Sequence, residues 1–268
     1  MTTRLLPIAM ALAAMTAASA ARAGQDPAPP IPETAMLDDP CAGRAATVYS
    51  PGTDWAWLCR YNAANKALVG KPVDVVLIGD SITEGWVNQD PGFFEGGIVG
   101  RGISGQTSPQ LLVRFWQDVI ALRPKVVHIM IGTNDIAGNT GPTSPEAYKN
   151  AIRSMVTLAK ANHIVVILGS IPPADRFSWA PQHKPAPTVA ALNLWLKDYA
   201  AAEGLVYADY HGALAGPSGE FLPALAPDGV HPNKAGYAAM RPIAERALAE
   251  AQALAKQHHH RRHRHGSE

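Results

Sequence analysis

Apolar positions in this chain recur in two alternating periods from about residue 73 onward. Val73-Asp74-Val75-Val76-Leu77-Ile78 is a β-branched run stopped by Gly79, the pattern of a strand buried on both faces. Residues 126–131, 164–168 and 205–208 repeat that pattern, and 97–102 is a shorter candidate strand. Between these runs the period changes to helical. Leu111, Leu112, Phe115, Val119 and Leu122 share one face of a helix predicted over 109–122. Ser144-Pro145-Glu146 opens a second helix to about Asn162, with proline at its first position. Residues 189–203 give a third, closed by Gly204. Asn233 caps a last one, expected to be interrupted or kinked at Pro242. Strands apolar almost throughout, alternating with helices, imply an α/β fold whose parallel sheet is covered on both faces.

The segments before and after this pattern differ in composition. Arg4 precedes an apolar run over 5–15, and small residues lead to Ala21-Arg22-Ala23, so 1–23 reads as a cleaved export signal. The alternative is an uncleaved anchor, but the strongly apolar part is well short of the roughly 20 residues a span requires. No later segment is long and apolar enough to span, so the mature form is expected to carry no membrane span. Residues 24–45, with Pro29-Pro30-Ile31-Pro32, read as an extended linker. Residues 46–70 hold Trp55, Trp57 and Tyr61 and suggest a helix docking on the main domain, which is expected over 71–255. The tail, 256–268, contains half of the ten histidines. It is read as a solvated end, with binding of divalent metal or an anionic polymer as the other reading.

Composition narrows the function classes. The chain has 268 residues, 47% of them hydrophobic, enough for one large domain with a sizeable core. The formal net charge is +1, and removing the basic signal and tail leaves a mildly acidic body. Such a body argues against nucleic acid as a partner. Export would carry Cys41 and Cys59 into an oxidising compartment, where a disulfide is expected; two buried thiols are the alternative. Neither cysteine has metal-site spacing, so no metal site is expected.

In an open α/β sheet the reacting groups gather beyond the carboxyl ends of the strands. Those ends carry Gly79-Asp80-Ser81-Ile82-Thr83, Gly102-Ile103-Ser104-Gly105 and Gly132-Thr133-Asn134-Asp135. Asp228-Gly229-Val230-His231-Pro232 precedes the last helix. These residue types suit acyl transfer. A serine hydroxyl is a weak nucleophile and requires a base within reach, here His231. Asp228, three residues earlier on a tight turn, can accept the other imidazole N–H and fix the tautomer. Backbone N–H groups of Ser81 and Gly105, with the Asn134 amide, would form an oxyanion hole. Asp80 and Asp135 are read as loop-stabilising. Two other motifs fail: Gly100 to Gly105 matches G-x-G-x-x-G but lacks the surrounding elements of a dinucleotide site, and no G-x-S-x-G surrounds Ser81.

The blocks GDSIT, GISGQTS, GTND and DGVHP, in that order from Gly79 to His231, resemble the four signature blocks of the SGNH hydrolases, the GDSL lipase/esterase family. By that resemblance Ser81, Gly105, Asn134 and His231 occupy the name-giving positions, and Asp228 that of the triad acid. The resemblance implies a three-layer α/β/α sandwich with a mostly parallel, flavodoxin-like sheet, and no cofactor. Two positions depart from the pattern: Ile82 replaces leucine, and Gln106 follows Gly105 where many members have aspartate.

The substrate is less legible. The Pro-rich loop over 172–187 brings Arg176, Phe177 and Trp179 to the rim, and Trp86 follows the nucleophile block. Trp86, Arg176 and Trp179 are candidate substrate-binding residues. Aromatic faces beside polar groups suit a sugar ring, so the expected partner is a small-molecule or polysaccharide ester, with short O-acetyl groups first. The alternatives are a lysophospholipase or thioesterase and, more remotely, a non-catalytic glycan-binding module.

Overall fold

Period-two alternation within each strand decides which side chains face which helical layer. The structure, a computed structural model, describes residues 39–44, 47, 49 and 51–265. The expected signal over 1–23 and most of the linker over 24–45 lie outside the described residues. Residues 46–70 fall in the same compact unit as the sheet, Cys41–Glu268.

The elements in chain order are α1 (Asn62–Lys66), β1 (Val75–Gly79), α2 (Ser81–Gln89), β2 (Ile98–Gly102), α3 (Ser108–Asp118), β3 (Val126–Met130), α4 (Thr133–Ala137) and α5 (Pro145–Ala161). They continue with β4 (Val165–Gly169), α6 (Pro185–Glu203), β5 (Val206–Ala208), α7 (His211–Leu214) and α8 (Lys234–His265). All five strands are parallel, in the order β2-β1-β3-β4-β5. Val76, Ile78, Val127, Ile129, Val166 and Leu168 pack against α3, α5 and α6. Their neighbours Val75, Leu77, Met130 and Ile167 pack against α2 and α8. The result is a three-layer α/β/α sandwich with the flavodoxin-like strand order, whose switch point lies between β1 and β3.

Three local expectations are corrected. Among the described residues of 46–70 the one helix is the five-residue α1, preceded by turns. The Asp54 carboxylate captures the N–H groups of Leu58 and Cys59, at 2.7 and 3.0 Å, and Trp57 sits at φ 51°, outside the helical region. Helix α6 starts at Pro185 rather than Val189, a proline again serving at the first turn. Helix α8 runs through Pro242 without interruption. The proline removes one backbone donor, but Tyr237 and Met240 before it and Ala244, Leu248 and Ala251 after it are all buried against the sheet.

Cys41 and Cys59 are joined by a disulfide. Deeper in, Arg114 and Asp118 form an ion pair at 2.9 Å with essentially no solvent exposure. Asp118 also accepts from the Asn65 amide at 2.7 Å, and Arg114 donates to the Gly79 carbonyl at 2.9 Å and to Gln106 at 2.6 Å.

Two stability predictions result. Reduction of the disulfide should add the mass of two hydrogens and cost about 3 kcal/mol of stability for a loop of this length, seen as a lower melting temperature. An unchanged mass would rule out the bridge. Asp118→Ala leaves the Arg114 charge buried without its partner and should cost about 3–5 kcal/mol in chemical denaturation. A loss under 1 kcal/mol would contradict that account of the pair.

Candidate active site

The carboxyl ends of β1 and β3 flank the switch point, and the candidate chemistry collects there. After β1, Asp80 Oδ1 accepts the Ile82 N–H at 3.0 Å and caps α2. Ser81 is the first residue of that helix, so its own N–H has no partner within the helix. The end of β2 runs close beside the same helix. A Cβ on Gly102 would lie 2.1 Å from the Glu84 nitrogen, so only glycine permits this approach. Glu84 in turn accepts from Ser104 N–H at 2.8 Å and Ser104 Oγ at 2.5 Å, which holds the following loop. Gly105 turns that loop at φ +77°, a left-handed conformation that glycine adopts without strain.

The remaining pair comes from the loop before α8. Asp228 Oδ1 accepts the N–H groups of Val230 and His231, at 2.9 and 2.8 Å, a local turn that fixes the carboxylate. Its second oxygen lies 2.7 Å from His231 Nδ1, and His231 Nε2 lies 3.0 Å from Ser81 Oγ. Burial pushes the Asp228 carboxyl up, but the His231 and Val230 hydrogen bonds outweigh it and hold the carboxyl below its ordinary range. Asp228 is therefore anionic at neutral pH, and His231 can keep its proton on Nδ1 and present Nε2 to the serine.

Asn134 stands in the first turn of α4, just after β3. Its Nδ2 donates to the Gln106 carbonyl at 3.0 Å and lies 3.4 Å from Asp80 Oδ2, a long contact. It therefore bridges the residue before Ser81 and the residue after Gly105. Asp135 accepts from Ser108 N–H and Oγ, tying α4 to α3. Both aspartates are buried. Burial pushes Asp135 up to about 6 against the Ser108 hydrogen bonds, and Asp80 up to about 7 against the Ile82 hydrogen bond and the nearby His231. Among the described residues no group of three or more His, Cys, Asp or Glu gathers as metal ligands would.

The profile of the GDSL-like lipase/acylhydrolase family matches residues 77–239, which spans the three strand-end blocks and the block before α8. The chain belongs to that family. A proposed acylhydrolase from Bacteroides fragilis is 46% identical, superimposes with a TM-score of 0.71, and aligns over 74% of this chain and 98% of its own. An acetylxylan esterase from Geobacillus stearothermophilus is 26% identical, with a TM-score of 0.54 over 66% of this chain and 94% of its own. An uncharacterised lipoprotein of Bacillus subtilis is 39% identical over 81 residues, 24% of this chain; the match spans about a third, 32%, of that curated relative's length.

Not every residue suggested by the sequence reaches the site of this GDSL-family chain. Trp86 does not: it is fully buried, with the rings of Phe93, Phe94, Tyr210 and Tyr237 packed around it. Trp86 stands five residues past Ser81, nearly opposite it around the helix axis, so the helix that aims the serine outward aims Trp86 at the sheet, where it serves the core and not a substrate. Arg176 is exposed and pairs with its neighbour Asp175. Trp179 is half-exposed, with its ring centroid 6.4 Å from that of His231. Sequence reading passed over Glu84, Arg114 and Asn139, whose hydrogen bonds hold the loops around Ser81. None stands in a motif, and only the Gln106 departure marked the neighbourhood.

The buried Asp80 carboxyl generates a pH prediction. The folded chain holds this proton more tightly than the unfolded chain, so Asp80 makes stability decline as pH rises from about 4 to about 7. Asp80→Asn keeps the oxygen that caps α2 and removes the titration. Its melting temperature should gain on the wild type through that window and run parallel to it above. A difference constant from pH 4 to 8 would refute the assignment.

Proposed function

We propose that this chain is an exported serine esterase that acts through an acyl-enzyme, with Ser81 as nucleophile, His231 as general base and Asp228 as the orienting acid. The continuous chain from Ser81 Oγ through His231 Nε2 and Nδ1 to Asp228 Oδ2, at 3.0 and 2.7 Å, carries this reading. Ser81 Oγ attacks the ester carbonyl carbon as its proton passes to His231 Nε2. The carbonyl oxygen becomes an oxyanion, which takes donors from the N–H groups of Ser81 and Gly105 and from Asn134 Nδ2. The imidazolium, held against anionic Asp228, returns its proton to the departing alkoxide and leaves the acyl group on Ser81. A water molecule then repeats the sequence, giving up its proton to His231, and the acid departs as Ser81 Oγ recovers that proton.

Short acyl groups on carbohydrate are the substrates this reading favours. The similarity to an acetylxylan esterase supports it, as does the half-exposed indole of Trp179 beside His231. Export is supported by the leader pattern over 1–23, by the Cys41–Cys59 pair and by the partial similarity to a lipoprotein. Among the described residues no helix is long and apolar enough to cross a membrane.

Kinetics of four variants on one activated ester test the roles. Ser81→Ala and His231→Ala should abolish turnover, and Ser81→Ala should also abolish fluorophosphonate labelling. Asp228→Asn should lower kcat by up to about 10⁴-fold. Asn134→Ala should lower kcat by about 100- to 1,000-fold with KM little changed. Labelling that persists in Ser81→Ala, mapped to another serine, would sink the assignment. A chain-length series that peaks at palmitate rather than acetate would turn the substrate toward lipid.

A further inference from the structure

A planar amide presents its oxygen to one side and its nitrogen to the other, so whatever fixes one end aims the other. Asn134 is useful to an oxyanion only if its nitrogen faces the site. Three hydrogen bonds govern that orientation. Trp179 Nε1 donates to Asn139 Oδ1 at 2.9 Å, and Asn139 Nδ2 donates to Asn134 Oδ1 at 2.7 Å. Asn134 Nδ2 then reaches the Gln106 carbonyl at 3.0 Å.

The polarity of this chain is set at its outer end. An indole N–H is only a donor, so the group facing it must be the oxygen of Asn139. The nitrogen of Asn139 is thereby turned to Asn134, and the nitrogen of Asn134 toward the loop containing Gly105. The outer end is also firmly seated. The Trp179 ring stacks on Phe177 with centroids 5.0 Å apart, and Phe177 is buried with Ala137, Ala174, Ala180 and Val230. The loop bearing Trp179 is thus packed against the turn that carries His231. Stacking covers part of the indole, yet Trp179 remains 44% exposed.

We propose that Trp179 and Asn139 are positioning residues for the Asn134 amide, and that the exposed Trp179 ring is where the sugar ring bearing the ester stacks. One side chain then serves both the leaving group and, through Asn139, the oxyanion donor. This rests on the esterase reading above.

The test separates the N–H from the ring. Trp179→Phe keeps an aromatic face and deletes the donor. It should lower kcat on p-nitrophenyl acetate by about 2- to 10-fold, the worth of one neutral hydrogen bond, with KM and melting temperature unchanged. Asn139→Ala should lower kcat at least as much. Trp179→Ala should in addition raise KM on acetylated xylo-oligosaccharides about 10-fold, while KM on p-nitrophenyl acetate stays constant. The side-chain amide signals of Asn134 in a ¹H–¹⁵N spectrum, assigned by their loss in Asn134→Ala, should move in Trp179→Phe. Unmoved signals with wild-type kcat in Trp179→Phe would overturn the relay, and an unchanged oligosaccharide KM in Trp179→Ala would overturn the stacking. The amide shift is read on the folded protein whether or not it turns over. A wild type without Ser81-dependent hydrolysis would therefore defeat the esterase reading separately from the relay.

Discussion

A guanidinium leaves water only where its N–H groups find acceptors, and Arg114 finds them on three separate segments. It is fully buried and bonds Asp118 on its own helix, the side chain of Gln106, and the carbonyl of Gly79. Gly79 ends the strand that delivers Ser81, and Gln106 follows Gly105. The distance between Ser81 and the loop containing Gly105 is therefore tied to one buried charge whose partners must all be present together. That requirement fixes the loop more tightly than its glycines alone could.

The segment before the sheet braces the same region from outside. Gln106 Nε2 donates to the Ala56 carbonyl, Arg101 to Asn65, Arg60 to Glu84, and Tyr61 to the Gly102 carbonyl. Glutamine at 106 is chemically apt here. Its amide accepts from Arg114 and donates to Ala56, whereas an ionised aspartate would have no proton to offer the Ala56 carbonyl. The Cys41–Cys59 bridge closes the chain on the near side of this brace.

Three aspartates near the site show how environment divides one side-chain type among tasks. Asp228 is exposed and receives two backbone N–H groups, which favours its anion beside His231. Asp80 and Asp135 are buried, which disfavours theirs, and their bonds are spent on capping α2 and on joining α4 to α3. Of the two carboxyls that interact with His231, the one that contacts its ring is thus the more fully ionised at neutral pH.

The β-branched runs and the helical period over 109–122 were legible because burial on both faces, or on one, writes itself directly into residue order. The strand-end blocks were legible for the same reason: strand termination puts Ser81, Gly105 and Asn134 on one rim whatever the surrounding detail. Trp86 turns away from the site because five residues along a helix carry a side chain about 140° around the axis, from the rim where Ser81 stands to the sheet. Helix α8 is not interrupted at Pro242 because burial on both sides of it outweighs one missing hydrogen bond. Arg114, Asn139 and Glu84 left no sequence signal, since their partners lie 35, 5 and 20 positions away and share no motif with them. Sequence by itself determined the alternation of elements and the residue types at each strand end, because local periodicity and turn chemistry are short-range. Only the tertiary structure decided which donors face which acceptors, because hydrogen-bond direction depends on groups that meet in space and not along the chain.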